Sequence, residues 1–354
     1  MKLPIRAAVL SSPDYPFAPI DAPVKLDQNE AADDFPAPLK ALVFERLGRA
    51  KWHRYTDLNS EALCAAIAQY EGWSPSGVVV TTGSNVLIAL LIQLAALDRR
   101  VVTVKPNFPL YGLDAKLLGA ALTEVPLRSD FSMDVDGLIA ALQDDGGDPA
   151  RIGGVVYLPQ PHAPTGSIVA ASELEKLASV SNEWLTVIDE AYHQFAGTSS
   201  TALARRFPNV LLLRTFSKAW GLAGLRLGYA LASDEVARQL RKLVPPFAVS
   251  VMQTVAAEVA LANPGYVRER VERTVRERER IALALQGHPS WKVFPSSANF
   301  LLIRTPDAAR ASEQLLKAGV LVRRQDAYAG LEGCIRVSVG TPEENDAFLR
   351  AAGA

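Results

Sequence analysis

One lysine lies among residues that suit an aldehyde cofactor bearing a phosphate. Lys218 follows the apolar run 211–213 and the hydroxyl-bearing Thr215 and Ser217, and Arg226 comes shortly after it. A lysine amine can form a Schiff base with an aldehyde, whereas hydroxyl groups and an arginine can hold a phosphate. Pyridoxal phosphate carries both groups and is the cofactor that this segment suggests. Alone the signal is modest, because most lysines are solvated surface charges.

A second apolar run ends in two polar residues with matching chemistry. Residues 185–188 predict a short buried strand, and Asp189 and Tyr192 follow it. Ligands collect at the carboxyl ends of strands in open α/β sheets. A buried carboxylate keeps a pyridine nitrogen protonated, and a phenol can hydrogen-bond the oxygen on the ring. As an isolated pair, these residues would more simply be a cap and a core tyrosine.

Two further segments supply strand ends and a phosphate site. The run 155–158 predicts a strand that leads into the proline-rich loop 159–166, where proline forbids continuation of the strand. The run 78–82 predicts a strand that passes through Gly83 into a helix starting near Val86. Free N–H groups and the helix dipole favour a phosphate there by ~1 kcal/mol.

Together these segments resemble the fold type I pyridoxal phosphate enzymes of the class I/II aminotransferases, and specifically the histidinol-phosphate aminotransferase family. The resemblance extends from residues 24–30 to residues 333–341. It implies an α/β fold with a mostly parallel sheet flanked by helices, plus a smaller α+β domain. It also implies a homodimer whose active sites lie at the subunit interface.

The resemblance assigns roles to individual residues. Lys218 would be the Schiff-base lysine and proton shuttle, and Asp189 and Tyr192 would contact the cofactor ring. Phe108 falls where the family stacks an aromatic ring on the pyridine, and Tyr55 matches a tyrosine that reaches the cofactor phosphate from the other subunit. The positions that match the family's phosphate-binding residues are Ser84, Asn85, Thr215, Ser217 and Arg226.

The loop before Pro164 departs from the family pattern. It reads Gln160-Pro161-His162-Ala163, so the asparagine that usually contacts the ring oxygen is missing from position 163. Either His162 replaces that contact or Tyr192 makes it alone. The second interpretation is preferred, because adjacent loop residues usually point in different directions.

An arginine near the carboxyl terminus is the expected substrate clamp. In 334–339 the alternation places Ile335, Val337 and Val339 on one face and Arg336 on the other, from which it can grip a carboxylate with two hydrogen bonds. Outside this context, a structural ion pair would be at least as good an interpretation. By resemblance, Tyr15, Arg323 and Arg336 lie near positions that contact a substrate phosphate.

The resemblance implies that histidinol phosphate donates the amino group and that 2-oxoglutarate accepts it to give glutamate. Two other enzymes remain open: an aromatic amino acid aminotransferase and a threonine-phosphate decarboxylase-like enzyme. A non-enzymatic binding protein is disfavoured, because Lys218, Asp189 and Arg336 are all retained.

Composition agrees with a soluble enzyme of two domains. The chain has 354 residues, a net charge of −1, 49% hydrophobic and 21% charged residues, so nothing attracts it to nucleic acid or an anionic membrane. In the arginine-rich stretch 268–280, interleaved glutamates cancel the positive field, and a helix with Val267, Val271 and Val275 inward is expected.

The two cysteines and four histidines lack a metal-binding spacing, and no targeting segment is evident at 1–9. We therefore expect no metal and a cytoplasmic location. Strand and helix patterns alternate from about Ser60 to Val244, and Pro245-Pro246 stop them. The expected division is an arm that joins the small domain (1–44), a large cofactor-binding domain (45–246) and a small domain (247–354).

Overall fold

Two sheets organise the chain. The computed structural model describes residues 4–13, 19–144, 146 and 152–354. Its strands, in chain order, are β1 (Val24–Leu26), β2 (Val78–Thr81), β3 (Arg100–Lys105), β4 (Ala121–Pro126), β5 (Gly154–Pro159), β6 (Trp184–Asp189), β7 (Val210–Thr215), β8 (Gly228–Leu231), β9 (Lys292–Val293), β10 (Phe300–Arg304), β11 (Val320–Arg324) and β12 (Cys334–Ser338).

The larger sheet has seven strands in the order β2-β8-β7-β6-β5-β3-β4. Every pairing is parallel except the two made by β8, which runs antiparallel to β2 and β7. All residues of β5 and β7 are buried, as expected for strands covered by helices on both faces. The predicted α/β fold with a mostly parallel sheet is confirmed, and so are the four strands that the sequence indicated.

Helices cover both faces of this sheet. One face packs apolar residues of α4 and α5, including Leu87 and Tyr111, and the other packs those of α3 and α11, including Ile67 and Val259. The helices are α1 (Ala7–Leu10), α2 (Ala37–Arg49), α3 (Glu61–Glu71), α4 (Ser84–Ala95), α5 (Leu110–Leu118), α6 (Val135–Gln143), α7 (Ala171–Val180), α8 (His193–Ala196), α9 (Thr201–Arg206), α10 (Asp234–Arg241), α11 (Val251–Ala262), α12 (Gly265–Ala284), α13 (Ala308–Lys317) and α14 (Pro342–Ala352).

The smaller sheet has five strands in the order β1-β11-β12-β10-β9. Its first strand comes from the amino-terminal part of the chain and pairs in parallel with β11, with Val24 opposite Val320. This pairing fixes the segment after β1 beside the carboxyl-terminal strands. The strands of the larger sheet all lie between residues 45 and 246, and those of the smaller sheet lie before 44 or after 247. The division into 1–44, 45–246 and 247–354 stays a prediction.

Helix α12 corrects one expectation. Val267 is buried and Val271 packs against the core, as expected, whereas Val275 is only half-buried and is not part of that core. The other buried side chains are Arg270, Thr274, Arg278 and Ile281. Each buried guanidinium group donates to a backbone carbonyl oxygen, which offsets part of the cost of its burial. Arg278 Nη1, for example, donates to the carbonyl of Ala298 at 3.0 Å.

The described residues contain neither a membrane-spanning helix nor a metal-binding cluster. Within the described ranges, no helix has the length and apolar character that a membrane crossing requires. Nor does this part of the chain bring together three or more His, Cys, Asp or Glu side chains able to hold a metal ion.

Candidate active site

The carboxyl ends of three parallel strands meet at one edge of the larger sheet. β6 lies between β5 and β7, with Pro159 opposite Asp189 and Asp189 opposite Leu213. Asp189 ends β6, and Lys218 lies in the loop after β7. Residues far apart in sequence thus share the edge where open α/β sheets bind ligands.

The Lys218 amine is half-buried and faces the segment after β1. Its Nζ donates to the carbonyl oxygen of Gln28 at 2.9 Å and lies 5.8 Å from the centre of the Tyr192 ring. Burial, followed by the positive charge of Arg336, lowers the pKa of Lys218 to about 8. More neutral amine is therefore present near neutral pH than for an ordinary lysine. The neutral amine is the form that attacks a carbonyl carbon or accepts a proton.

The Asp189 carboxylate is buried and held by two donors. Its Oδ2 accepts from the Tyr111 hydroxyl at 2.7 Å, and its Oδ1 accepts from the backbone N–H of Ala191 at 3.1 Å. Burial raises the pKa of Asp189, and these two hydrogen bonds oppose the rise because they favour the ionised form. A protonated ring nitrogen would be a fitting partner for this carboxylate.

Tyr192 has a partner that the sequence did not identify. Its hydroxyl oxygen accepts from Asn29 Nδ2 at 2.9 Å, and its ring meets Phe300 edge-on with centres 5.2 Å apart. Asn29 itself is anchored, because its backbone N–H donates to Ser338 Oγ at 2.8 Å. The segment after β1 therefore fixes the phenol at the strand ends.

A phosphate-sized anion could bind where α4 begins. Gly83 precedes α4 with a φ of +93°, and a Cβ at this position would lie 2.8 Å from Arg226 Nη2. The guanidinium of Arg226 thus lies beside the first turn, which contains Ser84 and Asn85. Arg226 Nη1 also donates to Ser217 Oγ at 3.3 Å. The helix dipole and an arginine are combined at one point, as phosphate sites require.

Hydrogen bonds hold the loop that carries Lys218 both before and after the lysine. Thr215 Oγ1 accepts from the Ser217 N–H at 3.1 Å and donates to the Leu227 carbonyl at 3.4 Å. Arg270 Nη1, on α12, donates to the carbonyl of Ala219 at 3.1 Å. The Thr215 hydroxyl therefore holds the loop, and its contact with a phosphate stays a prediction.

Both ring nitrogens of His162 have partners within the protein. Nε2 lies 2.9 Å from the Pro106 carbonyl oxygen and must donate to it, so Nδ1 accepts from the Thr165 hydroxyl at 2.8 Å. Burial lowers the pKa of His162 to about 4, which keeps the ring neutral. His162 thereby ties its loop to the segment that carries Phe108, and this geometry favours Tyr192 for the ring-oxygen contact. The role of His162 and the stacking by Phe108 stay predictions.

Two arginines lie side by side on the smaller sheet. Arg323 and Arg336 are opposite each other in the β11–β12 register, so their side chains project from the same face. Arg336 Nη2 donates to the Asp27 carbonyl at 2.8 Å, and its guanidinium carbon lies 5.5 Å from the centre of the Phe300 ring. The predicted alternation along β12 is confirmed, since Ile335, Val337 and Val339 all lie in one apolar cluster.

The remaining predicted residues lie elsewhere. Tyr55 is 83% exposed and stacks on Phe247 with ring centres 4.7 Å apart, and its contact with a cofactor phosphate stays a prediction. Tyr15 falls outside the described residues. Sequence reasoning missed Tyr111, Asn29 and Arg270. A local signal was lacking, because Tyr111 reads as an apolar position of α5 and Arg270 lies among glutamates.

The assembled residues fit pyridoxal phosphate. A half-buried amine of lowered pKa suits the aldehyde, and the buried Asp189 carboxylate suits the pyridine nitrogen. The Gly83 turn and Arg226 suit the phosphate, and the Tyr192 hydroxyl suits the ring oxygen. Amine, carboxylate and anion site lie on neighbouring strand ends, as a single bound molecule would require.

Comparison with known proteins agrees with this geometry. The family model "Aminotransferase class I and II" matches residues 21–351. The histidinol-phosphate aminotransferase of Deinococcus radiodurans is 49% identical over 98% of this chain and 95% of its own length. That of Thermococcus gammatolerans is 38% identical over 93% of this chain and 90% of its own.

A solved structure extends the likeness to three dimensions. The histidinol-phosphate aminotransferase of Sinorhizobium meliloti, in complex with pyridoxal-5'-phosphate, superposes with a TM-score of 0.86 at 25% identity. The alignment covers 99% of this chain and 97% of that one. The chain therefore belongs to the class I and II aminotransferases and, within them, to the histidinol-phosphate aminotransferase family.

Proposed function

We propose that this enzyme transfers the amino group of histidinol phosphate to 2-oxoglutarate, which gives glutamate. The observation that carries the choice of amine is the pairing of Arg323 with Arg336 across β11 and β12. Two guanidinium groups on one face create a positive field that suits a dianionic phosphate in one half-reaction and a carboxylate in the other. An amine without an anionic group would gain little from the second arginine.

The cofactor is pyridoxal phosphate. When bound, it supplies the aldehyde that accepts the amino group and the ring that stabilises negative charge at the substrate carbon. Asp189 would accept a hydrogen bond from the ring nitrogen and keep it protonated, and Tyr192 would donate to the ring oxygen. We assign the phosphate to the α4 amino terminus and Arg226, with Ser84, Asn85, Thr215 and Ser217 around it.

Lys218 is the residue that moves the proton. Its lowered pKa would let Nζ accept a proton from the substrate α carbon and hold it for the second proton transfer of the reaction. In the structure, the Lys218 amine donates to the Gln28 carbonyl and Arg336 donates to the Asp27 carbonyl. Binding of an anionic substrate would replace the backbone contact of Arg336 with a stronger ionic one.

The test follows the absorbance of the bound cofactor when one amine is added without any keto acid. Histidinol phosphate should convert the aldehyde form to the amine form rapidly, and histidinol, which lacks only the phosphate, should act at least tenfold less efficiently. Conversion by phenylalanine alone would favour an aromatic aminotransferase. Release of carbon dioxide from threonine phosphate would favour a decarboxylase.

We also propose that the enzyme is a homodimer in which Tyr55 reaches the partner's cofactor phosphate. Support comes from three aromatic side chains that are largely exposed: Tyr55 (83%), Trp52 (71%) and Phe44 (64%). Exposed aromatic side chains are typical of protein–protein interfaces. A 1:1 mixture of Tyr55→Phe and Lys218→Ala subunits should then regain about a quarter of intact sites, because each mixed dimer holds one unmutated site. Mixtures that stay at the level of the separate variants would contradict a shared site.

The cytoplasmic location remains a prediction from sequence.

A further inference from the structure

A buried tyrosine makes direct contact with the carboxylate that faces the cofactor ring. Tyr111, in the first turn of α5, is fully buried, and its hydroxyl donates to Asp189 Oδ2 at 2.7 Å. The other oxygen of Asp189 is held by the Ala191 N–H. The carboxylate is therefore held at both oxygens by groups of the protein.

The Tyr111 ring cannot turn away from this contact. It lies parallel to the Tyr157 ring, with centres 4.7 Å apart and planes 4° from parallel, and Phe108 meets it edge-on at 5.8 Å. Tyr157 is anchored in turn, because its hydroxyl donates to the Ile88 carbonyl on α4 at 2.7 Å. Two stacked rings thus hold one hydroxyl against one carboxylate oxygen.

The protonation state of each partner favours donation from the Tyr111 hydroxyl to the Asp189 carboxylate. Burial, followed by the nearby Asp189 charge, raises the pKa of Tyr111 well above its ordinary value, so the phenol retains its proton. Its hydrogen bond in turn favours the ionised carboxylate. Without this donor, only the hydrogen bond from the Ala191 N–H would oppose the rise in the pKa of Asp189 that burial causes.

We infer that Tyr111 is a positioning residue, whose hydroxyl holds the Asp189 carboxylate in the orientation that accepts a hydrogen bond from a protonated cofactor ring nitrogen. The inference rests on the cofactor site of the proposed function and does not depend on which amine is the substrate. Tyr111 does not itself touch the reacting atoms. It acts through Asp189, as second contacts orient metal ligands in other sites.

The experiment compares Tyr111→Phe with Tyr157→Phe. Each variant loses one buried hydroxyl and keeps the ring stack, but only the first loses the contact with Asp189. The dissociation constant for pyridoxal phosphate is measured on each protein without amine. The nitrogen NMR shift of ring-labelled cofactor then reports whether the ring nitrogen carries a proton.

Tyr111→Phe should weaken cofactor binding about tenfold and move the ring-nitrogen signal toward the unprotonated value. Tyr157→Phe should stay within about twofold of the original protein and leave the signal in place, although its thermal stability should fall. Equal losses in both variants would overturn the inference, because they would point to the stack alone. An unchanged dissociation constant and signal in Tyr111→Phe would also overturn it. Neither readout involves amine turnover, so failure of the substrate proposal would leave this test intact.

Discussion

Replacing Lys218 should stabilise the cofactor-free protein, because the lysine is held in surroundings that disfavour its charge. We consider Lys218→Met, which keeps the length of the side chain and removes the amine. In the unfolded chain the amine is protonated at neutral pH, whereas in the folded protein its pKa is about 8 instead of 10.5. The folded protein therefore binds this proton less tightly than the unfolded chain does, and this difference lowers the free energy of unfolding.

The size of the effect follows from that difference. Each tenfold change in proton affinity is worth about 1.4 kcal/mol, so a fall from 10.5 to about 8 corresponds to about 3 kcal/mol. Lys218 is only half-buried, and the variant loses the hydrogen bond to Gln28, worth about 1 kcal/mol. We expect a net gain in the free energy of unfolding of about 1 to 2 kcal/mol at pH 7.

The dependence on pH has a definite sign. The folded-state pKa is depressed, so the destabilisation is fully present below pH 8 and disappears as the pH rises to 10.5, where the unfolded chain also loses its proton. Urea unfolding of both cofactor-free proteins at one protein concentration, from pH 7 to 10, measures the difference. Lys25→Met, at an exposed lysine of β1, is the control and should show no such trend. A variant that is no more stable at pH 7, or a gain that persists at pH 10, would refute the reasoning.

Two further predictions use neighbouring arginines as controls. Arg323→Gln should raise KM for histidinol phosphate at least tenfold with a small effect on phenylalanine, whereas Arg324→Gln, whose exposed side chain pairs with an aspartate at 2.7 Å, should change neither; steady-state kinetics measure both. Arg214→Met should lower the free energy of unfolding by about 3 to 5 kcal/mol in a urea titration, because it leaves Glu190 buried without its cation. Arg206→Met removes an exposed ion pair and should cost less than about 1 kcal/mol; equal losses would contradict the distinction.

Local patterns in the sequence were sufficient for the strands and for several site positions. The runs before Asp189 and Lys218 are apolar because β6 and β7 are covered on both faces, so a polar residue at their ends stands out. In β12 the signal is alternation, because Arg336 lies on the face opposite its apolar neighbours. In each case, periodicity and residue type lie within one short segment.

Contacts between distant segments could not be predicted in this way. Tyr111 reads as an ordinary apolar position of an amphipathic helix, and only the packing of α5 against the sheet directs its hydroxyl to Asp189. Arg270 is similar, because the glutamates around it suggest a solvated helix face, yet the carbonyl of Ala219 lies within its reach. His162 was recognised as unusual, but whether a ring nitrogen remains available depends on Pro106, which lies far away in sequence.

The segment after β1 shows why the geometry of the site could not be derived from motifs alone. Three consecutive residues of this segment engage three site residues: the Asp27 carbonyl accepts from Arg336, the Gln28 carbonyl accepts from Lys218, and the Asn29 side chain donates to Tyr192. Two of these contacts use backbone carbonyls, which every residue type possesses, so they leave no compositional trace. The parallel pairing of β1 with β11 is what places the segment there. The site residues are therefore positioned by both sheets, because the smaller sheet holds the segment that contacts Lys218 and Tyr192.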